Sequence, residues 1–286
     1  MREADFPALY KTADELSATS QKHFFRALRL HLVVLVLAAV ASLITISHWS
    51  VAALQLLALL LALGCSIYLF SVRPDRLWYA GRAAAESIKT ITWRYICRAE
   101  PFQNEVSAAS DFRNTLKAII DQNREVFQAL TDENTGAQIT EAMIEGRSKP
   151  LEARRAIYAE KRISDQLRWY AKKASFNRRM SSGFFWFLIA INGAAVIAAV
   201  LRMANLGGPF WPTDVLVAAA ASVLSWMQAK RFSELAASYS LASHEISLIR
   251  EKSLLPDTED AFSVFVGDAE NAFSREHTQW VARKDV

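Results

Sequence analysis

The uncharged stretch between Arg29 and Arg73 limits the possible folds of this chain more than any other sequence feature. Its 43 residues contain no Asp, Glu, Lys or Arg. A surface helix of a soluble protein keeps one polar face toward water, so a stretch of this kind does not fit a soluble fold. A second block, 180–201, is also uncharged, and a third, 203–229, contains a single charge, Asp214. Although the mean hydropathy is only +0.10, this distribution predicts an integral membrane protein.

The three blocks have suitable lengths for membrane-spanning helices. A helix needs about 20 apolar residues, each rising about 1.5 Å, to cross a bilayer core. The first block has room for two such segments with a turn at 47–50, and the turn-forming residues 205–209 separate the other two. The sequence therefore predicts an all-α fold with four spans in two transmembrane hairpins, at 28–46, 51–72, 182–201 and 211–229.

The basic residues predict the orientation of these spans. Of the 33 Lys and Arg residues, only Arg202 falls at a predicted hairpin tip. Cytoplasmic flanks of membrane helices carry the excess of positive charge, so both termini and the middle segment are expected in the cytoplasm. The protein would then be a multi-pass protein of the inner (cytoplasmic) membrane. The same asymmetry accounts for the pI near 9.1, and we expect no nucleic-acid partner.

The segments outside the spans have helical patterns and predict a cytosolic helical bundle. Apolar residues at spacings of three and four favour helices at 74–98, 105–130, 138–146, 151–179 and 230–252. The sequence thus divides into a first two-span unit with flanking helices, a helical connector, a second two-span unit with flanking helices and a C-terminal cytosolic tail, with boundaries 1–103, 104–150, 151–255 and 256–286.

A short internal similarity supports a duplicated two-span unit. An aromatic residue, a cation and a carboxylate recur at positions i, i+4 and i+8 near the end of each hairpin, in Trp78, Arg82, Glu86 and in Trp226, Lys230, Glu234. On one helix these three positions share a face. A generic membrane-boundary pattern, with a Trp at the interface followed by a long cation, also fits them.

No catalytic, metal-binding or cofactor-binding signature is present in the sequence. The five histidines are scattered, and Cys65 and Cys97 do not have the spacing of a disulfide framework or a metal site. The adjacent glycines 207 and 208 lie at a predicted hairpin tip rather than in a phosphate-binding loop. We therefore expect no enzyme activity, no cofactor and no metal.

Polar residues inside the predicted spans are candidates for lining a pore or for packing helices together. These are Gln55, Asn192, Ser222 and Ser225. Small and polar residues on one helix face permit close packing and interhelical hydrogen bonds. The same face would suit an aqueous path in an oligomer, and both interpretations stay open. No charge lies near the middle of a span, which argues against a proton-coupled or voltage-driven transporter.

Two long motifs resemble the bacterial SLATT proteins. Residues 84–95 (AAESIKTITWRY) and 98–102 (RAEPF) resemble the first unit of these proteins. Residues 139–143 (ITEAM) and a set of later positions resemble the second unit: Arg154, Arg155, Tyr158, Arg162, Asp165, Gln166, Trp169, Tyr170, Lys173, Ala174 and Asn177. The resemblance covers about 5–255 as a tandem pair. SLATT domains are two-span membrane modules associated with nucleotide-sensing conflict systems.

The resemblance implies an oligomeric effector of the bacterial inner membrane that forms or gates a pore in antiphage defence. Four helices packed at about 8–10 Å fill their own centre, so a pore requires a homo-oligomer. The trigger would come from a cytosolic defence protein or a nucleotide signal. We expect the cytosolic helices to transmit it through a coupling face formed by Trp78, Arg82, Glu86, Tyr158, Arg162, Gln166, Trp169 and Lys173. A non-conducting membrane anchor for a defence complex and a constitutive small-solute or ion channel are the alternatives.

Overall fold

A computed structural model describes residues 5–44, 49–129, 136–204, 206 and 211–282, except for the side chains of 125 and 275–282. Every regular element in these residues is a helix. In chain order they are α1 Ala8–Ser42, α2 Trp49–Val72, α3 Pro74–Ile96, α4 Ala108–Gln122, α5 Arg124–Gln128, α6 Glu141–Ser148, α7 Leu151–Tyr158, a π-helical segment Ala159–Ser164, α8 Asp165–Met203, α9 Thr213–Lys230, α10 Phe232–Lys252 and α11 Glu259–Ala282.

The predicted all-α class is confirmed, with small shifts in the helix bounds. α2 begins at Trp49, so Trp49 and Ser50 of the predicted turn at 47–50 are helical, and positions 47 and 48 lie outside the described residues. The predicted break at 205–209 also lies outside them apart from Leu206. Helix starts follow local chemistry: α3 begins at Pro74, and the hydroxyl of Thr140 accepts a hydrogen bond from the Met143 amide at the start of α6.

The helix that leads into the third predicted span contains a local change of winding. The chain is helical without interruption from Leu151 to Met203, a run of 53 residues. Within it, Ala159–Ser164 is wound as a π-helix. Such single-turn π segments are uncommon and occur frequently at functional sites.

The chain forms two compact units, each discontinuous in sequence. We call residues 1–21, 75–171 and 240–286 the charged unit, and residues 22–74 and 172–239 the apolar unit. The apolar unit thus contains all of the predicted spans, and the charged unit contains most of the sequence between and after them.

The charged unit has an aromatic core like that of a soluble helical domain. Its largest fully buried side chains include Trp93, Arg154, Arg162, Tyr158, Tyr170, Phe102, Phe112 and Phe262. The rings of Tyr95, Phe102 and Phe112 pack with centroids 5.1–6.0 Å apart. Contacts of this kind stabilise a core beyond the area that they bury.

The apolar unit reverses the usual arrangement of side-chain sizes. Small residues such as Ala38, Ala62, Ala198 and Ala220 are buried, each at 8% exposure or less. Large apolar residues face outward, as in Phe70 at 84% exposure. Small residues between close-packed helices with large residues outside are the pattern that a lipid environment favours.

Among the described residues, three helical runs are long and apolar enough to cross a membrane: Ala8–Ser42, Trp49–Ile96 and Leu151–Met203. α9, which corresponds to the fourth predicted span, is not among them. Its 18 residues would extend about 27 Å, somewhat less than a bilayer core. It also has a polar residue in each terminal turn, Asp214 and Lys230. Three candidate spans are therefore observed where the sequence predicts four.

The helices meet at a left-handed arginine in each half of the chain. Arg73, with φ of 46°, separates α2 from α3, and Arg231, with φ of 50°, separates α9 from α10. Arg98, two residues after the end of α3, is left-handed as well, with φ of 56°. Because Arg231 interrupts the helix before Glu234, the predicted single-helix face is wrong for the second motif.

The C-terminal segment, which the sequence suggests is a tail, forms the helix α11 and belongs to the charged unit. Among its described side chains, the buried ones are Phe262, Ser263, Val266, Ala269, Glu270 and Phe273. These positions repeat at spacings of three and four, so one face of α11 packs into the core.

Candidate functional site

Arg162 and Glu270 form a buried ion pair in the core of the charged unit. The Nε of Arg162 donates a hydrogen bond to Oε1 of Glu270 at 2.9 Å, and Nη2 donates to Oε2 at 2.7 Å. Their side chains are 2% and 0% exposed. The planar guanidinium matches a carboxylate in this two-bond geometry. Since an isolated buried charge is very unfavourable, each residue requires the other in the folded chain.

Two hydroxyl groups complete the surroundings of the Glu270 carboxylate. Tyr158 donates to Oε1 at 2.9 Å, and Thr90 donates to Oε2 at 3.0 Å. The four donors come from α3, from α7 and from the π-helical segment, whereas the carboxylate comes from α11. The cluster therefore fastens α11 to the start of the 53-residue helical run.

The electrostatics fix the protonation states of the two donors on this run. Burial acts to lower the pKa of Arg162, but the charge of Glu270 and its hydrogen bonds outweigh burial, so the pKa lies above its ordinary value. Burial, followed by the negative charge of Glu270, holds the pKa of Tyr158 well above its ordinary value. Near neutral pH, Arg162 is therefore charged and Tyr158 is a protonated donor.

A third titratable side chain borders the pair. Burial lowers the pKa of Lys89, and the nearby carboxylate of Glu86 partly counteracts that effect. The Lys89 ammonium lies 3.8 Å from Glu86.

Two buried donors close to this cluster lack hydrogen-bond partners among the described residues: Nη1 of Arg162 and Nε1 of Trp93. The ring of Trp93 packs edge-on against Tyr158, with centroids 5.8 Å apart. Leaving a buried donor unpaired costs about 1–3 kcal/mol. Such groups are uncommon in protein cores and call for a reason. A dense polar cluster with surplus donors at a π-helical segment is therefore the candidate functional site of the charged unit.

Two further buried arginines donate hydrogen bonds to backbone carbonyl groups at the end of α3. Arg147 donates to the Tyr95 carbonyl at 2.7 Å, and Arg154 donates to the Cys97 carbonyl at 2.8 Å. Arg154 also pairs with Glu259 at the start of α11. The last carbonyls of a helix have no partner within it, so arginines placed there stabilise its end.

The structure places several of the predicted coupling residues in contact. The guanidinium of Arg82 lies 5.6 Å from the centre of the Trp169 ring, a cation–π distance. Tyr158 and Arg162 meet at the carboxylate of Glu270. Glu86 contacts Lys89.

The other predicted coupling residues take different positions. Trp78 stacks on Tyr79, with ring centroids 4.4 Å apart, and its carbonyl accepts a hydrogen bond from the Ser17 hydroxyl at 3.0 Å. Gln166 is half-buried in the charged unit, and Lys173 belongs to the apolar unit. The eight residues therefore do not form one continuous face within the charged unit.

The predicted pore-lining or packing residues lie in the apolar unit. Asn192 and Ser225 are exposed and Ser222 is half-buried. The amide of Asn192 donates to the Leu188 carbonyl of its own helix at 3.0 Å. Gln55 donates from α2 to the Ala38 carbonyl of α1 at 3.5 Å, so it connects two helices.

The residue that organises the site, Glu270, is absent from the predicted set, and so is Thr90. One signal was present in the sequence. Phe262, Val266 and Phe273 have helical spacing, and Glu270 lies on the same stripe. A single carboxylate on an otherwise apolar stripe indicates a buried ion pair when the chain offers a cation on a comparable stripe.

Within the described part of the chain, no group of three or more His, Cys, Asp and Glu residues is placed to hold a metal ion. Cys65 and Cys97 are both free thiols, half-buried and buried respectively. The buried polar groups of the site are instead arginine, tyrosine, threonine and a carboxylate.

Comparison with known families matches almost the whole chain in two consecutive parts. The family described as SMODS and SLOG-associating 2TM effector domain 3 matches residues 7–155. The family described as SMODS and SLOG-associating 2TM effector domain 1 matches residues 158–280. No curated protein and no solved structure matches the chain significantly. The chain therefore belongs to the SLATT family, the two-transmembrane effector domains of bacterial conflict systems, and contains two such domains in tandem.

Proposed function

We propose that this protein is an effector of the bacterial inner membrane that assembles as a homo-oligomer and forms or gates a pore in an antiphage or nucleotide-signalling conflict system. The observation that carries the proposal is the helical run from Leu151 to Met203. One end of it bears Tyr158 and Arg162 of the buried cluster, and the other end is an apolar segment long enough to cross a bilayer.

In this proposal α9 completes a fourth span, so that each SLATT domain contributes one hairpin. Its terminal residues Asp214 and Lys230 would lie at the two membrane surfaces, where charged side chains extend toward water. The positive-inside distribution supports a cytoplasmic position for both termini and the charged unit. Alkaline phosphatase fusions at Leu206 and after the last residue test this topology. Activity of the terminal fusion would contradict it, because that enzyme folds only outside the cytoplasm.

The exposure of Asn192 and Ser225 in a single chain supports assembly. Polar side chains are unfavourable against lipid tails and favour a neighbouring helix or an aqueous path. The same residues could pack against a second copy or line the path between copies. The cytosolic trigger, a defence protein or a nucleotide signal, would act on the charged unit, and the 53-residue run would carry the change to the membrane.

Flux measurement on liposomes that contain the full chain tests the pore. A Ser225→Cys variant, in a background with Cys65→Ser and Cys97→Ser, is treated with a water-soluble, membrane-impermeant thiol reagent. We expect dye or ion flux that the reagent blocks. The matched control is Leu224→Cys, which is also exposed but on an apolar position where the reagent would have little effect. A tight membrane in every triggered state, or equal block of both variants, would contradict the pore.

A non-conducting membrane anchor is the second candidate, and exposed leucines of the charged unit favour it. Leu241 and Leu248 lie seven positions apart on α10 and are 62% and 60% exposed. Two exposed leucines on one face of a helix suit a partner helix. Capture of a stoichiometric soluble partner that Leu248→Asp abolishes, together with membranes that stay tight, would support the anchor over the pore.

A further inference from the structure

The apolar unit contains a cluster of cations and aromatic rings that joins the middle of α1 to the end of α9. The ammonium of Lys230 lies 3.4 Å from the centre of the Phe25 ring and 5.1 Å from the centre of the Trp226 ring. The guanidinium of Arg29 lies 5.5 Å from the same Trp226 ring. Two cations thus lie against one indole ring, a favourable contact for each of them.

These cations are close to each other and to further positive charge. The charges that act on Lys230 are those of Arg29 and Lys173, both of them positive. The neighbouring Arg231 differs, because its guanidinium donates to the carboxylate of Glu234 at 2.9 Å. Like charges at short range repel, so an anion beside Lys230 and Arg29 would be bound favourably.

The position of the cluster along the chain indicates where that anion would come from. Arg29 directly precedes the uncharged block 30–72, and Lys230 directly follows the apolar block that ends at Ala229. Both cations therefore lie at the boundary between an apolar helix segment and a charged one. Tryptophan favours the same level of a bilayer, that of the lipid headgroups.

We propose that Arg29 and Lys230, held together on the Trp226 ring, bind the phosphodiester of an anionic phospholipid. Basic pockets between membrane helices bind such headgroups on the cytoplasmic side. The inference rests on the membrane placement proposed above and adds a lipid ligand to it. Phe25 and Trp226 hold the cations in position and contact the glycerol and upper acyl region.

The test uses the full chain in detergent micelles, with native mass spectrometry to count bound phosphatidylglycerol and phosphatidylcholine supplied in equal amounts. We expect the wild type to retain phosphatidylglycerol preferentially. The double variant Arg29→Gln and Lys230→Gln should bind it at least about tenfold more weakly, since two headgroup-facing charges are lost. The charge-retaining double variant Arg29→Lys and Lys230→Arg should keep the preference, which separates loss of charge from loss of folding.

The matched control is the double variant Arg178→Gln and Arg179→Gln. It removes two exposed cations on α8 that directly precede the predicted span 182–201. It should leave the preference unchanged. If both glutamine variants bound phosphatidylglycerol equally weakly, the lipid would be attracted by surface charge in general, and the proposed site would be overturned. Full displacement of the lipid by millimolar inorganic phosphate would also overturn it, because the ligand would then be a soluble phosphate.

This readout is independent of conduction. A chain that prefers phosphatidylglycerol but conducts nothing contradicts the pore and leaves the lipid site standing. A conducting chain without a lipid preference contradicts the site alone.

Discussion

Arg162 and Glu270 are 108 positions apart in the chain, yet two hydrogen bonds of 2.9 and 2.7 Å join their side chains in the core of the charged unit. The pair attaches the last helix, α11, to the π-helical segment Ala159–Ser164 at the start of the run toward the membrane. Displacement of α11 away from this segment would separate the two charges.

Removal of one partner of this pair should be strongly destabilising. Glu270→Gln leaves the Arg162 charge buried and unpaired, at a cost of about 3–5 kcal/mol. Thermal unfolding of the full chain in detergent, followed by circular dichroism, would show a large fall in the midpoint. The double variant Arg162→Met and Glu270→Leu should recover most of the loss, because an apolar pair of similar volume avoids the buried charge.

Glu160→Gln is the control for this prediction. Glu160 also lies in the π-helical segment and forms an ion pair with Arg168 at 3.3 Å, but both side chains are more than half exposed. Its substitution should change stability by less than about 1 kcal/mol. A loss as large as that of Glu270→Gln would contradict the role of burial.

Tyr158 should make the charged unit sensitive to alkaline pH. Burial and the Glu270 charge raise the pKa of Tyr158 well above its ordinary value. The folded chain therefore keeps a proton that the unfolded chain releases above about pH 10, so stability falls as the pH rises through that range. The lowered pKa of Lys89 acts in the opposite direction.

Tyr158→Phe isolates this contribution. At pH 7 the variant should be less stable by about 1.5–3 kcal/mol, the contribution of a hydrogen bond to a charged acceptor. Its unfolding midpoint should then fall less steeply than that of the wild type between pH 9 and 11. Parallel curves for the two proteins would show that Tyr158 does not titrate as its surroundings require.

Gly81 lies at a close approach between α3 and α1. A Cβ at this position would lie 3.1 Å from the Ala13 carbonyl oxygen and 3.2 Å from the Ser17 amide nitrogen. These are backbone atoms and cannot move aside alone. Gly81→Ala should therefore destabilise the fold by about 1–3 kcal/mol, in spite of the better helix propensity of alanine.

Gly267→Ala provides the opposite case in the same unit. Gly267 lies in α11, and a Cβ added there meets nothing within 4 Å. This substitution should stabilise the chain by about 0.5–1 kcal/mol. If both variants shifted the thermal midpoint in the same direction, close packing at Gly81 would not be the cause.

Arg73 occupies a backbone conformation that glycine adopts without strain. Its φ of 46° lies in the left-handed region, which costs other residues about 1–2 kcal/mol. Arg73→Gly should therefore be neutral or stabilising by up to about 1 kcal/mol. Arg76→Gly, three residues later and inside α3, should destabilise by about 1 kcal/mol. Thermal midpoints of the two variants give the comparison, and equal losses would contradict it.

The main features of the fold follow from local sequence pattern. The uncharged block after Arg29 predicts membrane helices, and the helix starts near Pro74 and Thr140 agree with the observed bounds of α3 and α6 to within a few residues. These predictions succeed because helix formation and lipid compatibility depend on residues close together in the chain. The SLATT resemblance also rested on continuous motifs and is confirmed by the family matches.

The candidate site was predicted only in part. Tyr158 and Arg162 were named because they share a helical stripe, but their partner Glu270 was assigned to a tail. The motif of Trp226, Lys230 and Glu234 was expected on one helix, but the left-handed Arg231 separates Lys230 from Glu234. A backbone break at a single arginine leaves little trace in sequence, since an arginine in left-handed conformation looks the same as any other.

The sequence by itself determined that this chain is helical, that long apolar segments alternate with charged ones, and that two SLATT units follow each other. Those properties arise from neighbouring residues and their free energy of transfer between water and lipid. The tertiary structure decided which charges are buried, that Glu270 meets Arg162, and that Lys230 and Arg29 meet on one tryptophan. Such pairings join residues from distant parts of the chain, and only the packing of whole helices brings their atoms within bonding distance.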